Sequence, residues 1–132
     1  MSYDLFVQRF ENGDAAAMDG IAFQAVWGPY VDRTEPEFDV WHVHVDDGGG
    51  AEIYGGVADE TFDSLMISRF SRGCVLDLLV EFAAAADAVV MPPGCPTLLV
   101  REDQRRHLPE ELRADAVIVR GGTDVERVLD EN

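Results

Sequence analysis

The sequence predicts an α+β domain, an antiparallel or mixed sheet with helices packed on one face. Two segments carry the i, i+3, i+4 apolar spacing of amphipathic helices, and a run of short extended segments lies between them. A glycine-rich stretch joins two of those extended segments as a hairpin and not as a crossover. The length, 132 residues, suits one domain over positions 1–132 that buries roughly two thirds of its unfolded surface. No internal repeat or linker divides it.

Residues 3–10 (YDLFVQRF) alternate Tyr3, Leu5 and Val7 against Asp4, Phe6 and Gln8, the period of a first strand that Glu11-Asn12-Gly13-Asp14 ends. From Met18, a stripe of Met18, Ile21, Ala22, Ala25 and Val26 predicts a helix with Phe23 and Trp27 on its flank, stopped by Gly28-Pro29. After a polar stretch over 31–37, segments 38–45 (FDVWHVHV) and 51–57 (AEIYGGV) flank Asp46-Asp47-Gly48-Gly49-Gly50 as a β-hairpin. Setting the apolar sets opposite each other pairs Val43 with Ile53 and Val45 with Ala51, which places His44 across from Glu52 and His42 across from Tyr54.

Residues 65–70 predict another strand, and 74–86 a second helix with a core stripe of Val75, Leu78, Leu79, Phe82 and Ala86 and Ser71 as its cap. Residues 88–91 form a short strand cut by Pro92-Pro93-Gly94, and extended structure resumes at 97–100. A helical turn follows around Pro109, then a strand at 116–120. Thr123 with Glu126 makes a capping box for a final helix carrying Val125, Val128 and Leu129. If one central strand is peripheral, the order is loosely that of a ferredoxin-like β-α-β-β-α-β core with an extra carboxyl-terminal strand and helix.

The charge is extreme: 26 carboxylates face ten basic residues, every one of them arginine, for a net −16. Without lysine there is no Walker A loop, no Schiff-base chemistry and no lysine-attached carrier cofactor. Nucleic acid and anionic lipid surfaces, both bound through Lys and Arg, are disfavoured partners. The amino end has no basic stretch leading into an apolar run, and no segment reaches the ~20 apolar residues of a membrane span. The longest, 74–86, is broken by Asp77 and Glu81. A cytoplasmic protein that contacts no membrane is expected. Cys74 and Cys95 have neither a CxxC partner nor zinc-finger spacing, and read as buried or idle thiols.

The sharpest candidate site is the hairpin. Residues two apart on a strand share a face, so His42 and His44 project together, and the inferred register brings Glu52 and Tyr54 beside them. Such a set could hold a first-row transition metal, or act as general base and orienting acid. It is equally what the less buried face of a sheet would carry. No third or fourth metal ligand is named by the sequence, and no cofactor is implied. Other clusters are weaker: Gly121-Gly122 before a helix as an anion cradle, Asp77 and Glu81 as paired carboxylates, and the basic group Arg101, Arg105, Arg106 and His107 among Glu102, Asp103, Glu110 and Glu111.

The opening MSYDLFVQRF, the central FDVWHVHV with AEIYGG, and AVVMPPGCPTLLVREDQRRHLPEEL together resemble small acidic proteins of unknown function from GC-rich, actinobacterial-type bacteria. The resemblance transfers no catalytic motif. Some proteins of this size and charge look like the immunity proteins of bacterial toxin systems, whose acidic surfaces bind and block basic toxins. The expected function is a non-enzymatic interaction module for a basic protein, with self-association through the sheet face as a further option. The alternative is a small-ligand or metal-binding protein, or a hydrolase, centred on His42, His44 and Glu52.

Overall fold

The computed structural model describes residues 4–55 and 59–132. Tyr3 of the expected first strand, and Gly56 and Val57 of the expected hairpin, lie outside them.

Strand β1 (Leu5–Glu11) buries Leu5 and Val7 and turns Phe6 outward, as the alternation requires. The chain then folds back through Asn12-Gly13, both at positive φ (53° and 88°), into β2 (Asp14–Ala16), with Glu11 opposite Asp14. Asn-Gly is the pair that two left-handed turn positions favour. Short β3 (Met18–Asp19) leads into helix α1 (Gly20–Val26), whose first turn is capped by Asp19 Oδ1 accepting from the Ile21 N–H at 2.8 Å. The expected stripe is therefore rotated. Met18 belongs to a strand, the helix buries Gly20, Phe23 and Val26 with Trp27 just beyond its end, and Ile21 is 74 % exposed. Once the helix starts at Gly20, the inward-facing positions are those of the two large aromatics, which bury the most apolar area.

A 3-10 turn (Gly28–Tyr30) precedes β4 (Val31–Glu35), a strand within the stretch that the sequence marks only as polar. Next come β5 (Val40–His44), β6 (Gly50–Tyr54), β7 (Thr61–Phe62) and β8 (Leu65–Ser68). Helix α2 (Cys74–Ala86) keeps the bounds read from the sequence. Strands β9 (Val89–Met91) and β10 (Leu98–Leu99), a 3-10 segment (Glu102–His107), α3 (Glu110–Arg113), β11 (Val117–Ile118) and α4 (Gly122–Glu131) complete the chain.

The main sheet runs β11-β10-β9-β1-β8-β6-β5-β4, with β2 beside β1, and β3 and β7 form a separate ladder. Among the described residues, only β10 and β11 pair in parallel, so the sheet is mixed. At its centre, β9-β1-β8-β6 has the 4-1-3-2 order of a β-α-β-β-α-β core, and β5 and β4 extend one edge. The inner face meets α1, α2 and α4 in one apolar core that includes Leu5, Val7, Ile53, Ile67, Leu79 and Val125. A second, smaller core on the opposite face joins Val89, Leu99, Leu108 and Ala116, where the 102–113 segment folds over β9 and β10.

The β5–β6 register differs from the expected one by two residues. His42 faces Glu52, Val43 faces Ala51 and Val40 faces Tyr54, while His44 faces Gly50. A shift of two keeps every side chain on its face, so the apolar pattern alone leaves it open. Turn geometry decides it: Gly48 N–H donates to the Val45 carbonyl at 3.0 Å, Gly48 sits at φ +87°, and Val45 N–H donates to Gly49 at 2.9 Å. This is a three-residue loop with glycine at its left-handed position.

Both expected caps are replaced by tertiary ones. Ser71 does not cap α2; its hydroxyl accepts from Gly50 N–H at 3.0 Å. The Cys74 N–H donates instead to Asp47 Oδ2 at 3.1 Å, and Asp47 Oδ1 accepts from Gly49 N–H at 2.9 Å, so one carboxylate ties the hairpin turn to the start of α2. Thr123 and Glu126 form no capping box; Gly121 is the N-cap of α4, and the Gly122 N–H donates to Asp77 Oδ1 at 2.7 Å.

The two backbone donors, Cys74 first, hold the Asp47 carboxyl below the ordinary carboxylate range. A depressed folded-state value means that the latch stabilises the fold above the ordinary range and is lost as pH falls through the lowered value. Asp47→Ala is expected to lower the melting temperature by about 3–6 °C at neutral pH. The deficit should shrink as pH falls through that lowered value, as thermal melts from neutral pH down through the acid range would reveal; an unchanged deficit would show that the carboxylate charge is not what stabilises the latch.

Candidate functional site

Strands β4, β5, β6 and β8 turn one row of polar side chains to the open face of the sheet. Residues 42 and 44 on β5 and 52 and 54 on β6 point the same way because strand side chains alternate. Of the four expected site residues, three gather closely. The Tyr54 hydroxyl donates to Glu52 Oε1 at 2.7 Å, and His42 stands directly across from Glu52. His44 lies one step toward the hairpin turn, exposed, and among the described residues its imidazole has no hydrogen bond or ion pair.

The structure adds three partners. His42 Nε2 lies 2.9 Å from Glu35 Oε2 and 3.2 Å from Arg33 Nη2, both on β4, and Arg69 Nη1 stands 3.7 Å from Glu52 Oε2. Glu35 and Arg33 are missing from the sequence reading because β4 is not recognisable as a strand. The hydrogen bond from His42, more than the nearby Arg33 charge, holds the Glu35 carboxyl below its ordinary value. Donation to Glu52, with burial second, pushes the Tyr54 hydroxyl above its usual value. Arg33, His42, His44, Glu52 and Arg69, together with Asp32, Val43 and Ala51, line an open depression of about 510 Å³; Glu35 and Tyr54 are not part of its lining.

The carboxylates here are already engaged, Glu35 by His42 and Glu52 by Tyr54 and Arg69. Among the described residues, no three His, Cys, Asp or Glu side chains converge as metal ligands. Glu52 and His42 are therefore parts of two adjoining networks, and the His44–Glu52 pair expected from the sequence is not formed because His44 faces Gly50.

The weaker candidates resolve into structural roles. The Gly121-Gly122 cradle is filled by the protein's own Asp77. Arg105 donates to Glu102 at 2.8 Å and to the carbonyls of Arg113 and Ala116 at 2.7 and 2.9 Å, while Arg101 pairs with Asp87, so the basic cluster fastens the segment over β9 and β10. His107 accepts from the Asn12 N–H at 3.1 Å, holding the first hairpin turn. Cys74 and Cys95 are unpaired and half-buried, and burial pushes both thiols up, away from reactivity.

The charge is unevenly placed. Residues 1–68 hold fourteen carboxylates against two arginines, an asymmetry visible in the sequence once its halves are compared. Strands β1, β4 and β6 all run toward one end of the sheet, so the β1–β2 turn, the β4–β5 turn and the β3–β7 ladder gather there. Glu11, Asp14, Glu37, Asp39, Glu60 and Asp63 are exposed at that end. Among them, Phe38 is 67 % exposed in the β4–β5 turn, and Ile21 opens α1 beside Glu60. Among the described residues, no helix is long and apolar enough to cross a membrane. No protein family matches the chain, and no curated protein or solved structure is significantly similar to it.

Proposed function

We propose that this protein is a non-enzymatic interaction module that docks a basic protein partner at the acidic end of its sheet. The observation that carries this reading is that exposed carboxylates and the exposed side chains of Phe38 and Ile21 share one end of the sheet. Clustered like charge raises the encounter rate with an oppositely charged surface, and an apolar side chain inside such a rim supplies the desolvated anchor that charge alone lacks. An acidic inhibitor covering a basic toxin, as immunity proteins do, is the specific form that we favour.

The outer edge of β4 adds support of a different kind. A bulge between Val31 and Arg33, charges at Asp32, Arg33 and Glu35, and Pro36 immediately after the strand all discourage a further strand from pairing there. A partner is thus expected to meet side chains and not to extend the sheet.

The test is a pull-down at about 50 mM salt, where surface charges are weakly screened, comparing the native protein with the double variant Glu37→Arg/Asp63→Arg. A single basic protein should be retained by the native bait, and its association rate with the purified native protein should exceed that with the variant by about 10–100-fold. Equal retention by both baits, or no basic protein on either, would remove the proposal.

A further inference from the structure

We infer that the depression on the open sheet face binds a small oxyanion, gripped by Arg33 and Arg69 with His44 beside them. This site lies apart from the acidic end and does not depend on the partner proposed there.

The first argument is distribution. In a chain where carboxylates outnumber arginines 26 to 10, this one depression collects two arginines and two of the three histidines. The second is availability. The Arg69 side chain is 77 % exposed, and among the described residues its one ion pair is the long contact with Glu52 at 3.7 Å. A guanidinium offers five N–H donors, so most of this fork is open to a ligand. His44 is exposed, its imidazole unpartnered among the described residues. Two carboxylates, Asp32 and Glu52, line the depression beside the two arginines, so its local charge is balanced and the case rests on open donors. Glu52 already accepts from the Tyr54 hydroxyl at 2.7 Å, and Glu35, outside the lining, is held by His42 at 2.9 Å.

The third argument is independent of charge. Arg69 sits at φ +49°, in the left-handed region where a residue with a Cβ is strained and where Asn or Gly would be more comfortable. Non-glycine residues held in such a conformation cluster at binding sites, where the geometry they impose is used. Here it leaves the Arg69 guanidinium at the depression, within ion-pair range of Glu52.

Two guanidinium forks recognise the planar pair of oxygens on a carboxylate or phosphate, and a volume of about 510 Å³ lies in the range of small-molecule sites. The rest of the anionic molecule matters less than its net charge suggests, since charges beyond roughly 8 Å are screened at physiological salt.

Inorganic phosphate and succinate, titrated separately at constant ionic strength against a chloride control, distinguish the two sources of the anion. Either should shift the imidazole NMR signals of His42 and His44 saturably and leave His107 unmoved; tighter succinate identifies a carboxylate ligand, tighter phosphate a phosphoryl one. Arg69→Asn, which suits the left-handed backbone, should weaken binding at least about tenfold while the melting temperature holds or rises. Arg33→Gln gives a second variant at a position without a positive φ and should also weaken binding. Shifts at His42 and His44 no larger than those at His107 with both anions, or native affinity in Arg69→Asn, would overturn the site.

Discussion

Phe23→Ala is expected to remove about 3–5 kcal/mol of stability, a large part of what a domain of this size possesses. Phe23 is fully buried on α1, and its ring meets three others edge-on: Trp41 at 5.5 Å, Phe82 at 6.1 Å and Phe62 at 6.3 Å. Those rings come from β5, α2 and β7, so this one side chain ties the α1 layer to the sheet, to the neighbouring helix and to the small ladder. Truncation loses the transfer energy of the ring, the edge-to-face contacts worth about 0.5–1.5 kcal/mol each, and leaves a cavity among groups fixed by three elements. Denaturant unfolding measures this as a lower midpoint at unchanged slope. Ile21→Ala, two positions away but exposed, should stay within about 0.5 kcal/mol. The two variants together decide which face of α1 points inward; a larger loss at Ile21 would restore the stripe expected from the sequence.

That comparison also marks how far local pattern reaches. Helix α2 is legible to the residue because thirteen positions of one period leave no competing reading, and β1, β8 and the hairpin are legible from alternation and a glycine-rich turn. Helix α1 has seven residues, fewer than two full turns beyond its cap, and over so short a span a stripe that includes Met18 fits as well as the true one. Strand β4 lies at the sheet edge with Asp32, Arg33 and Thr34 all exposed, so it has no buried face to impose a period. The ladders β3–β7 and β10–β11 are two residues long and are held by neighbours distant in sequence.

The candidate site was legible in kind but not in pairing. The sequence identifies the face shared by His42, His44, Glu52 and Tyr54, since alternation fixes it. The partners of His42 come from the unrecognised β4, and those of Glu52 include an arginine just past the end of β8. Caps follow the same logic. Thr123 and Ser71 stand where local rules would use them, yet Asp77 and Asp47 cap from other elements, because a carboxylate already positioned by its own helix or turn loses little further entropy in accepting the bond.

The junction that Asp77 makes is also the place where the smallest substitution should have a large effect. A Cβ at Gly122 would lie 2.6 Å from Asp77 Oδ1, 2.8 Å from Asp77 N and 3.0 Å from Leu76 C, the last two being backbone atoms of α2 that cannot swing away. Relief requires α4 to move off α2, which opens the Gly122–Asp77 hydrogen bond and loosens Val125 and Leu129 from the core. Gly122→Ala should therefore cost about 2–4 kcal/mol, from overpacking and a lost charged hydrogen bond. Gly121 supplies the control. Its φ of −171° is extended backbone open to any residue, and its nearest contact would be an ordinary 3.7 Å from Asp77 Oδ1, so Gly121→Ala should cost under about 1 kcal/mol. Removing the carboxylate as well, in Asp77→Ala/Gly122→Ala, should bring no recovery, because the backbone nitrogen of residue 77 still obstructs the Cβ. Hydrogen exchange would locate the damage: the amides of α4 should lose protection in Gly122→Ala while those of β1 and β8 keep theirs relative to global unfolding. Equal stability of the two alanine variants would mean that α4 seats on α2 through its side chains alone, and that the close backbone approach contributes nothing.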